Sequence, residues 1–236
     1  MDTIITSIKE SISNIFYIIF SPSKTFINIG QRPRWVAAFF ILTVLSVFVG
    51  LINLASVEKM LQIMLPSGLA EVFLNANANA KLLTSIITPS IMIVKCLLFS
   101  VLIWLISGTM TDRVTFGKTY SLAFHTGILL FLEFFLVSTI YYVKSLYQNL
   151  SFHDFRIYLG LDILFKGQEL SLPLRIILAN FNIINVWWVA VMILGLQKIF
   201  NLSRKNGVII VTVFWIVWLG IQIGIGLLFH LQVSSL

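Results

Sequence analysis

IITPSIMIVKCLLFSVLIWLIS (residues 86–107) and YSLAFHTGILLFLEFFLVSTIYYV (residues 120–143), separated by GTMTDRVTFGKT (residues 108–119), decide the fold of this chain. Each apolar run has about the 20 residues that an α-helix needs to cross a bilayer. Each also carries one charge near its middle, Lys95 in the first and Glu133 in the second. At a rise of ~1.5 Å per residue, Lys95 lies ~18 Å from Ser107 and Glu133 ~20 Å from Tyr120. Two antiparallel helices joined by the short turn are therefore expected to bring opposite charges to one depth. A charge at the bilayer centre costs ~2.5–3.5 kcal/mol on insertion scales, so both heads should face protein or water.

Composition agrees with a membrane protein. Of 236 residues, 58% are hydrophobic and only 11% charged, and the mean hydropathy is +0.98. A soluble domain of this size cannot hide that much apolar surface behind a charged exterior. The net charge of +7 is not gathered into a basic patch with interleaved aromatics, so nucleic acid is not an expected partner. Lys and Arg sit instead at the ends of apolar runs, where they set topology. The single cysteine, Cys96, lies inside such a run, which leaves no disulfide framework and no thiolate metal site.

Working outward, three further spans are expected, giving an all-α, five-helix transmembrane bundle with spans at about 35–54, 86–107, 120–143, 174–198 and 208–229. Residues 1–34 form an amphipathic arm. Ile4, Ile5, Ile8, Ile12, Ile15, Phe16 and Ile19 recur at helical spacing, and Lys9 and Glu10 break the apolar core that a cleavable leader requires. Such a helix can lie flat in the headgroup layer or pack its apolar face on the rest of the protein. Ser21-Pro22 starts a second short helix. Arg32, Arg34 and Trp35 then read as interface anchors at the entry to the first span. Residues 55–85 and 144–175 read as external excursions, the first with an amphipathic helix on either side of Pro66-Ser67-Gly68. Nine Lys and Arg fall in 1–34, 108–119 and 198–207, against six in the alternate segments. That asymmetry puts the N-terminus in the cytoplasm and the C-terminus outside a cell membrane. The abundance of Ile, Asn and Lys fits an AT-rich bacterial genome.

Several stretches resemble bacterial proteins of the Yip (Ypt-interacting protein) domain family. They are Ser21-Pro22-Ser23-Lys24-Thr25-Phe26 followed by Arg32-Pro33-Arg34-Trp35, the turn from Ser107-Gly108 through Phe116-Gly117-Lys118-Thr119-Tyr120, and Asn185-Val-Trp187-Trp188 through Gly195-Leu-Gln-Lys198. The resemblance covers nearly the whole chain and rests on order and spacing. It implies a five-helix α bundle and, in the eukaryotic branch, a role in organising transport membranes through small GTPases and partner membrane proteins. The Asp-Leu-Tyr-Gly-Pro motif of that branch is absent from this sequence.

The candidate intramembrane polar site comprises Lys95, Glu133, Asn182, Asn185 and Gln222. Measured back from the basic turn at Asn201–Gly207, Asn185 and Gln222 come to about the same depth as the two charges. Asn182 and Asn185 are three apart and share a helix face. One reading is structural: a buried Lys95–Glu133 pair with amides bonding across helices. The other is functional, a midplane site or relay for an ion, proton or lipid. Gly220 and Gly224 form a small-xxx-small motif, expected to serve packing within the chain. His125 is expected to be a hydrogen-bonded packing residue. No nucleophile elbow, Walker loop, dinucleotide fingerprint or HExxH is present, so no catalytic, cofactor-binding or metal residues are expected. The sequence thus points to a non-enzymatic membrane protein acting on the bilayer, on a membrane-protein partner or on a second copy of itself. A small transporter or conduit is the alternative.

Overall fold

A computed structural model describes residues 2–52, 78–146, 159–166, 168 and 170–234. The helices expected around Pro66-Ser67-Gly68 and most of the second excursion lie outside the described residues. The remainder is helical: α1 (Asp2–Phe20), α2 (Pro22–Gln31), α3 (Trp35–Ile52), α4 (Ala78–Gly108), α5 (Phe116–Ser145), α6 (Leu172–Asn180), α7 (Ile183–Phe200) and α8 (Arg204–Ser234), with a short 3-10 turn at Leu161–Phe165. Stretches of α4, α5, α7 and α8 are long and apolar enough to cross a membrane, and Trp35–Leu51 is a shorter apolar helix.

α5 is the central element, packed against α1, α2, α3, α4 and α7. From Ser121 to Phe131 it is buried all round, His125 and Thr126 included. Hydroxyls inside the bundle bond back to their own helix: Thr126 Oγ1 donates to Leu122 O at 2.9 Å and Ser100 Oγ to Cys96 O at 2.8 Å. In hydrocarbon this disposes of donors that have no water to reach. His125 Nδ1 lies 2.7 Å from the Ser121 carbonyl, to which it donates as the expected packing residue.

The N-terminal apolar face packs on the bundle. Ile15 and Ile18 of α1 and Phe26 and Ile29 of α2 belong to the same core as the spans. Pro22 fixes the first turn of α2. Phe26 lies against Gly195 of α7, where an added Cβ would also collide with Leu122 of α5. Only a glycine lets α2 approach α7 this closely. Burying each of these side chains is worth about 1.5–3 kcal/mol relative to water. The ion pair between Glu10 and Arg32, 3.6 Å long with the Arg32 side chain 69% exposed, is of a kind worth only about 0–1 kcal/mol. Apolar contact therefore docks the hairpin. The tighter Glu10–Arg34 pair at 2.7 Å sets where the chain turns into α3.

Two expectations need correction. The segment 174–198 is not one continuous helix: it breaks at Phe181 and Asn182, between α6 and α7. Asn182 is extended, and its side-chain oxygen accepts from the Asn185 backbone N–H at 2.9 Å, an N-cap that starts a new helix. Among the described residues, nothing packs on Gly220 or Gly224: both are exposed, and a Cβ on either would meet none of them within 4 Å. At the other end of α7, Asn201 takes a left-handed conformation (φ 55) that stops the helix. Ser203 Oγ then accepts from Asn206 N–H and opens α8.

Candidate functional site

The polar residues inside the spans gather around the break between α6 and α7. Glu133 on α5 accepts from Asn182 Nδ2 at 2.6 Å and from Asn185 Nδ2 at 3.0 Å, both at Oε1. The carboxylate thereby sits beside the first turn of α7, where unpaired N–H groups and the helix dipole favour negative charge. Hydrogen bonds to a charged group are worth ~1.5–3 kcal/mol each. Two of them are comparable to the ~2.5–3.5 kcal/mol insertion cost of the charge. The break is pinned from its other side by Gly160, which forms an antiparallel bridge with Asn182. A Cβ on Gly160 would lie 2.5 Å from Leu178 O and 2.6 Å from Ala179 O. Asp162 Oδ1 accepts from the Gly160 N–H at 3.0 Å and holds that strand of chain in place.

Gln222 is satisfied one step away. Its Oε1 accepts from Asn180 Nδ2 at 2.9 Å, which ties α8 to the end of α6. A small groove of ≈ 180 Å³ opens at the break, walled by Asn180, Phe181, Asn185, Val189 and Trp215.

Lys95 does not join this cluster by contact. Among the described residues, the ion pairs within 4.0 Å are those of Glu10 with Arg32 and Arg34. The Lys95 ammonium lies over two indoles, 5.8 Å from the ring centre of Trp188 and 5.0 Å from that of Trp218. Glu133 acts on it only through the field between them. A desolvated cation over an aromatic ring gains ~2 kcal/mol or more, so each charge has its own solution. Equal depth fixes position along a helix but not azimuth around it, and the two side chains leave α4 and α5 toward different neighbours. The Trp188 ring is held by Phe99 at 5.2 Å and by Phe214 at 5.7 Å. The indole nitrogens of Trp188 and Trp218 are buried without a hydrogen-bond partner among the described residues.

Of the five expected site residues, the structure unites Glu133, Asn182 and Asn185, places Gln222 beside them through Asn180, and sets Lys95 in an aromatic cage. Sequence reading gave Trp188 and Trp218 no role toward Lys95, and these two rings hold the cation. Asn180 was missed, although Asn180-Phe181-Asn182 in an apolar run is a readable cap signal. Of the anchors, Trp35 packs on α5, 5.3 Å from Tyr120 and 6.3 Å from Phe124. Arg32 and Arg34 close on Glu10. Among the described residues, no group of three or more His, Cys, Asp or Glu is placed to hold a metal ion.

The second polar-apolar feature is the α1–α2 hairpin. While Ile15 and Ile18 point into the bundle, Ile12, Phe16 and Phe20 on another side of α1 are 41%, 63% and 81% exposed. Helix α1 is thus apolar on two sides and polar along Lys9, Glu10, Ser13 and Asn14.

The family model of the Yip1 domain matches residues 16–226. The chain belongs to the Yip1 domain family. No curated protein and no solved structure matches it. The Yip1 domain match starts inside α1 and ends inside α8, so it takes in α2, the Gly195 contact, the broken helix and Glu133 together. Yip1 domain proteins are non-enzymatic membrane proteins, in keeping with the apolar helices described above.

Proposed function

We propose that this Yip1 domain protein is a non-enzymatic organiser of a cell membrane, acting through its N-terminal hairpin as a wedge in one leaflet. The observation that carries this reading is the second apolar side of α1. Phe16 and Phe20 stay exposed on a helix whose opposite side is locked into the bundle. A free amphipathic helix can leave the membrane, whereas this one is held to the spans through Ile15 and Ile18, with α2 docked beside it at Gly195, and must occupy headgroup area wherever the protein goes. The excess of Lys and Arg in residues 1–34, 108–119 and 198–207 supports a cytoplasmic position for the hairpin.

The test is reconstitution of the full chain into vesicles, with diameters measured by cryo-microscopy. The wild type should narrow or tubulate vesicles, and Phe16→Ser/Phe20→Ser should not, while remaining folded. Equal remodelling by both proteins would contradict the wedge.

A second reading is favoured by one observation, the carboxylate placed at a helix break, the arrangement on which midplane ion sites are built. It makes the protein a small conduit for an ion, proton or lipid. Flux through liposomes that Glu133→Gln abolishes without unfolding would establish it; flux equal to that of empty liposomes would dismiss it.

A further inference from the structure

The hairpin holds a cleft of ≈ 480 Å³ between α1 and α2, lined by Lys9, Glu10, Ser13 and Asn14 from α1, Asn28 and Gln31 from α2, and Arg32 just after it. Pockets of this volume hold small molecules. The one carboxylate, Glu10, is engaged by Arg34 at 2.7 Å and by Arg32 at 3.6 Å. Lys9 has no ion pair among the described residues, and the cleft keeps an excess of positive charge. The Ser13 hydroxyl and the Asn14, Asn28 and Gln31 amides make no side-chain hydrogen bond to protein among the described residues, so they remain available to a ligand.

The surroundings say what kind of ligand. Ile12 and Phe16 lie three residues from Lys9 and from Ser13 on the same helix, so the exposed apolar strip that ends at Phe20 borders the cleft. An amphiphile can lay an acyl chain along that strip and its headgroup in the cleft. A choline or ethanolamine headgroup brings an ammonium to Lys9 and Arg32 and finds only a carboxylate already paired. A phosphodiester bearing hydroxyls meets cations at its phosphate and amides at its hydroxyls.

We propose that the α1–α2 cleft binds the headgroup of an anionic phospholipid. This assignment rests on the wedge reading above only in placing the hairpin at a membrane surface. Charge-assisted contacts from Lys9 and Arg32 to the phosphate, with the amides on its hydroxyls, make the hairpin a reader of leaflet composition as well as a wedge.

The test uses the full chain in detergent, with native mass spectrometry of bound phosphatidylglycerol and phosphatidylcholine. The wild type should prefer phosphatidylglycerol by about tenfold or more, as expected for charge-assisted contacts. Lys9→Gln/Arg32→Gln should abolish that preference. Ser13→Trp, which fills the cleft without changing charge, should abolish it too. Arg204→Gln/Lys205→Gln, removing two exposed cations from the start of α8, should leave it intact. Equal binding of the two lipids by the wild type, retention of the preference in Ser13→Trp, or equal loss in Arg204→Gln/Lys205→Gln would overturn the site. The lipid source is separated from a soluble phosphate ester by glycerol 3-phosphate. If it binds as tightly as the lipid, and Phe16→Ser/Phe20→Ser leave lipid binding unchanged, the occupant is soluble and the lipid assignment fails. No bilayer is bent in detergent, so loss of the lipid preference leaves the wedge standing. Failure to remodel vesicles likewise leaves the cleft standing.

Discussion

At one end of α5, Leu122 meets Gly195 and Phe26 in contacts made wholly of carbon; further along the same helix, Glu133 accepts hydrogen bonds from two asparagines at a helix break. The first region is held by shape. Its glycine, phenylalanine and leucine leave no space, and the ion pairs around Glu10 only trim the register. The second is held by polar satisfaction, with the carboxylate, the amides and the bridge at Gly160 each answering a group that hydrocarbon would leave unpaired. The difference teaches where each failure should appear. A shape-held region responds to volume, and a polar-held region responds to the loss of single atoms.

The largest effect should come from Phe26→Ala, which empties the contact with Gly195 and should cost ~3–5 kcal/mol in denaturant unfolding of the full chain. Phe20→Ala, on the exposed side, should stay within ~0.5 kcal/mol. If the two variants unfold alike, the hairpin is not docked and the contrast collapses. Gly160→Ala comes next. Its Cβ meets two carbonyl oxygens, so backbone must move, at ~1–3 kcal/mol, and hydrogen exchange should quicken in α6 rather than in α2.

The polar region is sharpened by a double-mutant cycle of Glu133→Gln and Asn182→Ala. Coupling between polar partners inside membrane proteins averages about 0.6 kcal/mol and reaches ~1.7. The carboxylate's charge and the cap role of Asn182 place this pair at the upper end, and zero coupling would mean that the 2.6 Å contact is not made. The smallest effect is expected at Trp218. Phe keeps a ring under Lys95 and removes an indole N–H with no partner among the described residues, but it leaves a gap at a buried site, so Trp218→Phe should cost ~1 kcal/mol. Trp218→Leu removes the ring and should cost ~2 kcal/mol. Equal losses in both would show that the ammonium does not use the ring.

Sequence reading reached the all-helical membrane class because a run of apolar residues constrains a helix in lipid almost by itself. It placed Lys95, Glu133, Asn185 and Gln222 along their helices from the fixed rise per residue. It could not reach azimuth, which depends on how whole helices pack, and Lys95 therefore ended over Trp188 and Trp218 instead of against Glu133. The break at Asn182 was partly legible, because Asn182 and Asn185 were singled out as sharing a face, yet hydropathy averaged across it. The link between Glu10 and Arg34 had no periodic signal at all, since the two meet only after α2 has folded back. Gly195 entered only as part of the stretch Asn185–Lys198, because its contact with Phe26 of α2 leaves no periodic signal.

The docking of the hairpin is tested most directly by a disulfide between Gly30→Cys on α2 and Ile199→Cys on α7, in a Cys96→Ala background and in intact membranes. A Cβ on Gly30 would lie 3.6 Å from the Ile199 Cα, well inside the reach of a disulfide. The account predicts a high yield of the intramolecular cross-link, with none between Phe20→Cys and Ile199→Cys. A Gly30–Ile199 pair that fails to cross-link, in protein that is otherwise folded, would show that the hairpin does not rest on the bundle.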